Sequence, residues 1–180
     1  MRKSVDESWR HLESQGEEMP RHPDGHPVIP GRMPSYDDAE PLGFSYFRIH
    51  QSDADNSNLS LPRTYFGRSL LTRVSFAGTD LSESRMCWAD FVECDFTGAD
   101  LSGCDMRASV FDGCKFAGAV LRGADVRRSS FKGCEFAGAD LTGAVADEDE
   151  TIEYLYDKLT EAQQAAMVWH DNPGEEPPGG

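Results

Sequence analysis

The sequence predicts an all-β solenoid built from short extended segments, four to a coil, and closed at its C-terminal end by α-helices. Three observations predict it. First, every fifth residue is large and apolar. The file runs Leu61, Phe66, Leu71, Phe76, Leu81, Met86, Phe91, Phe96, Leu101, Met106, Phe111, Phe116, Leu121, Val126, Phe131, Phe136 and Leu141. Second, the residue two places before each centre is slim from Val74 to Ala139, as at Thr79, Ser84, Ala89, Cys94, Ala99, Cys104 and Ser109. A spacing of five fits neither a helix nor a plain strand, whose periods are about 3.6 and 2. It suits short inward-facing segments joined by sharp corners. Third, residue types recur every twenty positions: Phe76, Phe96, Phe116 and Phe136; Leu61 to Leu141; Phe91, Phe111 and Phe131. Such a period stacks like on like along one axis.

Glycine marks the corners. It stands two residues after the centre at Gly78, Gly98, Gly103, Gly113, Gly118, Gly123, Gly133, Gly138 and Gly143, where a turn needing positive φ selects it. Trp88, Ala108 and Arg128 occupy the same position after Met86, Met106 and Val126, and a different turn is expected there. Glu83 and Glu93 also interrupt the glycines, so the coil they bound should be the least regular. Just over four coils at about 4.8 Å give a rod of roughly 20 Å.

The open ends of such a rod need covers. Ile152, Leu155, Tyr156 and Leu159 lie on one helical face, with acids at 147–150 at its N-terminus. Thr160-Glu161-Ala162-Gln163 reads as a capping box for a second short helix through Trp169. At the other end, Leu42 to His50 alternates like a strand that covers the first coil, and Trp9 and Leu12 anchor a short helix around residues 4–14. The expected organisation is an N-terminal extension over 1–57, repeats over 58–145, a helical cap over 146–170 and a disordered tail over 171–180.

The 180 residues carry a net charge of −15, with 38% hydrophobic residues and a mean hydropathy of −0.55. The acidity is in the flanks: residues 58–145 net only −1, against −5 for 1–57 and −9 for 146–180. A neutral middle does not attract phosphate, so direct nucleic-acid binding is not expected. No apolar run is long enough for a signal peptide or a membrane span, and a cytoplasmic location is expected. Five cysteines without a signal argue against a disulfide framework.

Cys94, Cys114 and Cys134 form a straight file that suits core packing and not a tetrahedral metal site. Cys87 falls on an outward position, which makes it the cysteine most open to reaction. His22 and His26, with His11 upstream, are separated by Pro and Gly and read as a polar loop. No catalytic set or phosphate loop occurs. The expectation is no catalysis, no metal and no cofactor. On the outside, Asp80, Asp100 and Asp140 fall on one line interrupted by Val120. Arg107, Arg127 and Arg128 cluster beside Asp105 and Asp125, with Arg85 one coil earlier and Trp88 nearby. Trp and Arg are enriched at binding hot spots.

The segments FTGAD-LSGCD and FAGAD-LTGAV resemble the A(D/N)LxG repeats of pentapeptide-repeat proteins. The resemblance covers about residues 61–145. It implies a right-handed quadrilateral β-helix, with the centre and slim residues pointing inward and the other three positions outward. It also implies that the protein works by binding. A specific protein partner is the expected reading, with immunity or self-resistance proteins that occlude a toxin or antibiotic target as one subtype. The acidic flanks suit a basic partner. DNA mimicry against gyrase or another topoisomerase is the alternative, and a structural scaffold the third. A coil end or the C-terminal helices would serve for a homodimer.

Overall fold

Every fifth residue from Arg48 to Gly143 turns the chain through positive φ, between 54° and 70°. These corners comprise eleven non-glycine and nine glycine residues. The computed structural model describes residues 1–15, 48–147 and 155–170. Trp88 (φ 60°), Ala108 (54°), Arg128 (58°), Glu83 (57°) and Glu93 (54°) adopt the same left-handed turn as the glycines. The different turn and the irregular coil expected at these positions are therefore corrected. A left-handed residue with a Cβ costs about 1–2 kcal/mol, and the ladder on both sides of each corner holds it there. None of the eleven non-glycine corner residues is β-branched, the type for which this conformation is least accessible.

Between corners the chain pairs with itself in parallel, twenty residues apart. Strands β1 (His50–Ser52), β2 (Leu70–Thr72), β3 (Asp90–Val92) and β4 (Val110–Asp112) form one side, in the order β1-β2-β3-β4. The other three sides are single parallel bridges, for example Ser60↔Asp80↔Asp100↔Val120↔Asp140. Each centre donates its N–H to the coil on one side, as Leu101 does to Val120 O at 2.7 Å. Each bridging residue donates to the coil on the other side, as Asp100 does to Thr79 O at 2.9 Å. Four corners to a coil make this a four-sided β-helix. It has five coils from Arg48 to Asp147, about 24 Å at 4.8 Å each, one more than the repeat file suggests.

The predicted core is the core. Phe76, Leu81, Phe91, Phe96, Leu101, Phe111, Phe116, Leu121 and Phe131 are fully buried, and Phe136 and Leu141 nearly so. Phe91, Phe111 and Phe131 stack at 5.0 Å, and Phe96, Phe116 and Phe136 at 5.1 and 5.0 Å. The two stacks meet edge to face, as Phe111 and Phe116 do at 5.6 Å. Each aromatic pair adds about 0.5–1.5 kcal/mol beyond burial. The slim file has its own task. Thr79, Cys94, Cys104, Cys114 and Cys134 donate side-chain hydrogens to carbonyls one coil back, at Asn56, Leu71, Leu81, Phe91 and Phe111. Each of these bonds ties the slim file to the backbone of the neighbouring coil inside the rod.

The coil begins earlier than the apolar file, at Arg48 and not near 58. Its first centres are polar. Gln51 and Asn56 are buried and joined by a 3.1 Å bond from Asn56 Nδ2 to Gln51 Oε1. The helix α1 (Val5–Ser14) covers this end. Ser4 caps it in a capping box with Glu7. Ser8 Oγ accepts the Ser60 N–H at 2.7 Å, Lys3 N–H reaches Asn58 O at 2.7 Å, and Leu12 is buried in the core cluster. Of the strand expected from Leu42 to His50, residues 42–47 lie outside the described residues, as do the prolines at 20–41, while Arg48 is a corner at φ 57° and His50 opens β1 as part of the first coil.

At the far end, Tyr156–Lys158 is a 3-10 turn and α2 spans Glu161–Ala166 behind the expected Thr160/Gln163 capping box. Gln163 Nε2 donates to Phe136 O and Ala139 O, both at 2.9 Å, which seats α2 on the last coil. The second helix does not continue through Trp169. It stops at Ala166, and β6 (Val168–His170) pairs in parallel with β5 (Val145–Asp147), adding one more strand to the stack. The reason is local: Val168 N–H finds Ala144 O at 2.8 Å, and Trp169 Nε1 returns to Gln164 O at 2.9 Å. Ile152 and the tail over 171–180 lie outside the described residues. Among the described residues, no helix is long and apolar enough to cross a membrane.

Candidate functional site

The register of β1 to β4 places Arg48, Arg68, Trp88, Ala108 and Arg128 on one corner line, one coil apart. The corner is fixed on both sides. Trp88 N–H donates to Arg107 O at 3.3 Å, and Arg68 N–H donates to Trp88 O at 3.0 Å. Trp88 is nevertheless 71% exposed, whereas a large aromatic is ordinarily well buried. Two residues after the corner, the line Leu70, Asp90, Val110 runs up the strand face, and both Leu70 and Val110 are exposed. An indole, two aliphatic side chains and three arginines, Arg48, Arg68 and Arg128, thus share one edge of the rod. The sequence reading missed Leu70, Val110 and Arg68. Their outward positions could have been read from the same five-residue count that placed Trp88.

Beside this edge, Arg107 grips Asp105 through two bonds, Nε to Oδ1 and Nη2 to Oδ2, both at 2.8 Å. One coil on, Arg127 grips Asp125 at 2.9 and 2.6 Å, and Arg107 Nε stands 3.7 Å from Asp125. Burial pushes the Asp125 carboxyl up, but the bonds from the Arg127 side chain and backbone outweigh it and hold the group below the usual carboxylate range. The bond to Asp105 raises the Arg107 guanidinium, and the bond to Asp125 raises that of Arg127. Arg85 lies on the same side as Asp105, its bridge partner, and Arg128 is exposed on the corner.

Asp80, Asp100 and Asp140 do form one vertical line, but two sides away from the strand face. Each carboxylate accepts the backbone N–H and the hydroxyl of the residue two places on, at Ser82, Ser102 and Thr142. They brace their own turns. Asp80 faces Arg2 at 3.7 Å, and Asp140 takes Arg122 Nε at 2.6 Å. The Thr142 and Arg122 bonds push the Asp140 carboxyl down to about 2. The structure therefore does not bring the aspartate line and Trp88 into one site.

Cys87 is half-buried, and burial together with Asp105 pushes its thiol up, which works against reactivity. His11 bonds Asp55 O at 2.7 Å on α1, while His22 and His26 lie outside the described residues. Among the described residues, no group of three or more His, Cys, Asp or Glu could hold a metal ion.

The family model for pentapeptide repeats matches residues 69–107 and 109–145, in eight copies. No curated protein matches the chain. Among solved structures, the chain is similar to HetL, a pentapeptide repeat protein involved in heterocyst differentiation regulation from the cyanobacterium Nostoc. They share 20% identity and a TM-score of 0.55 over 57% of this chain and 49% of that one. The chain thus spans about half the length of HetL. A pentapeptide repeat protein of the Arabidopsis thaliana thylakoid lumen shows 28% identity over 64% and 72% of the two chains, with a TM-score of 0.33. QnrB1, a plasmid-mediated fluoroquinolone resistance protein, shows 12% identity over 71% and 76%, also with a TM-score of 0.33. Through the five-residue files, the parallel ladder and the matched repeats, residues 69–145 form a pentapeptide-repeat β-helix.

Proposed function

We propose that the protein binds a protein partner through the Trp88 edge and the adjoining β1–β4 face, and does so without catalysis. One observation carries this reading: Trp88 is 71% exposed on a corner whose backbone is bonded to the coils above and below. A rigid aromatic beside aliphatic and arginine neighbours is the composition of a binding hot spot. The fit with an immunity or self-resistance role is that such a protein needs only to occlude its target, a toxin or an enzyme such as a topoisomerase. Free thiols at all five cysteines accord with action in the reducing cytoplasm.

The test is capture of a partner from the native cell extract by the tagged full chain. Trp88→Ala combined with Arg127→Glu should abolish capture while the β-rich circular dichroism stays unchanged. Capture that survives both changes would place the binding face elsewhere.

DNA mimicry is the weaker reading. Duplex DNA carries one charge per about 1.7 Å, whereas the rod pairs Asp53, Asp80, Asp105, Asp125 and Asp140 with arginines. The expected effect on gyrase supercoiling is none at micromolar protein; inhibition there would favour mimicry instead.

A further inference from the structure

The chain as a whole is acidic, with a net charge of −15, yet the corner that carries Trp88 is basic. We infer that this edge docks an acidic, partly apolar segment of a partner protein, with carboxylates on Arg68 and Arg128 and an apolar side chain against Trp88. The inference rests on the proposal that the Trp88 edge is the binding surface, and adds the chemistry of what it binds.

The argument is one of charge and shape. Arg68 stands one coil before Trp88 and Arg128 two coils after it on the same corner line, with the small Ala108 between. At about 4.8 Å per coil, the two arginines are roughly 14 Å apart along the axis. Both are exposed, and neither forms an ion pair with another described residue. Arg107 and Arg127 behave differently, being held by their own aspartates. Ala108 presents only a methyl group next to the exposed indole on this line, so an entering side chain meets apolar surface there. Leu70 and Val110 extend the apolar surface on the strand side, with Asp90 between them. Net charge does not decide binding at this scale, because exposed charges more than about 8 Å away are largely screened at physiological salt.

A duplex or single-stranded nucleic acid is also anionic, but it fits less well. Phosphates gain nothing from Leu70 and Val110, and two open arginines on one corner neutralise few phosphates. A peptide that carries carboxylates on either side of an apolar residue meets both requirements.

The experiment uses three probes with the full chain: a glutamate-rich peptide with one central phenylalanine, a lysine-rich peptide with the same phenylalanine, and a short DNA duplex. Binding is followed by tryptophan fluorescence, with Trp88→Phe identifying the reporter. Saturable binding is expected for the glutamate-rich peptide alone. Raising the salt from about 0.1 M to about 1 M should weaken it roughly tenfold or more, as the Debye length falls from about 10 to about 3 Å. Arg68→Glu with Arg128→Glu should weaken it at least tenfold with unchanged circular dichroism. Equal or tighter binding of the lysine-rich peptide or of DNA, no saturable binding of the glutamate-rich peptide, or indifference to the double charge reversal would each overturn the inference. If Trp88-dependent capture of a partner persisted alongside such a result, the binding surface would stand and only the acidic segment would be wrong. If capture ignored Trp88, the surface itself would fall.

Discussion

Phe116 lies directly over Phe96, ring centroids 5.1 Å apart and planes 6° from parallel, with Phe136 stacked on its other face at 5.0 Å. Such a ring has neighbours above, below and beside it, so its removal leaves a cavity that the coils cannot close without breaking their ladder. Phe116→Ala should cost about 3–5 kcal/mol, read as a shift of the urea midpoint.

The corners give a contrast between two small residues. Gly118 turns at φ +64°, and a Cβ there would meet nothing within 4 Å. Gly118→Ala should therefore cost about 1–2 kcal/mol of backbone strain, less about 0.5–1 kcal/mol of chain entropy that glycine loses on folding, and lower the midpoint only slightly. Ala108 already occupies this conformation at φ 54°. For Ala108→Gly, relief of strain is offset by about 0.5–1 kcal/mol of added chain entropy, so its midpoint should barely move.

The N-terminal cover hangs on Ser8. Its Oγ accepts the Ser60 N–H and donates to Ser4 O, both at 2.7 Å. Ser8→Ala leaves the Ser60 N–H without that partner, at about 1–3 kcal/mol. Coils contact only their neighbours, so hydrogen exchange should rise at Asn58, Ser60 and the first coil and stay unchanged around Phe131 and Leu141.

Asp140 gives the pH dependence. Its carboxyl lies at about 2 in the folded chain, held down by Thr142 and Arg122, against about 3.9 when unfolded. A depressed folded value means that the stabilisation is complete above about pH 4 and is lost as pH falls through about 2. Asp140→Asn should lower the unfolding midpoint at pH 7, and the difference from the wild type should vanish near pH 2. The group is partly open to solvent, so the effect should be modest and smaller still in high salt.

What the sequence made legible follows from which positions are chemically constrained. The inward file from Leu61 to Leu141 admits only apolar residues, so the coils it lines could be counted directly. The first coil escaped notice because Gln51 and Asn56, joined by one hydrogen bond, hold the centre positions, and polar centres break an apolar file. The corners were read as glycine-dependent, although the rule is looser: ladder bonds on both sides hold Arg, Glu or Trp at positive φ as well. The outward positions accept nearly any residue. Trp88 could be singled out by size, Arg127 by charge and Arg68 by its place twenty residues before Trp88, but that Asp100 braces Ser102 shows only in the folded turn. β6 was hidden because Val168 and Trp169 fit a helical pattern as well as a strand, and only the vacant edge of β5 decides between them.

The closed interior is tested most directly by counting thiols that react in the native chain. Four of the five cysteines are buried, and each bonds a carbonyl of the preceding coil: Cys94, Cys104, Cys114 and Cys134. Under an excess of a thiol reagent without denaturant, Cys87 alone should be modified, slowly, and the other four only at the rate of unfolding. Rapid modification of two or more thiols in the folded protein would mean that solvent enters the rod, and the stacked columns described above could not be its interior.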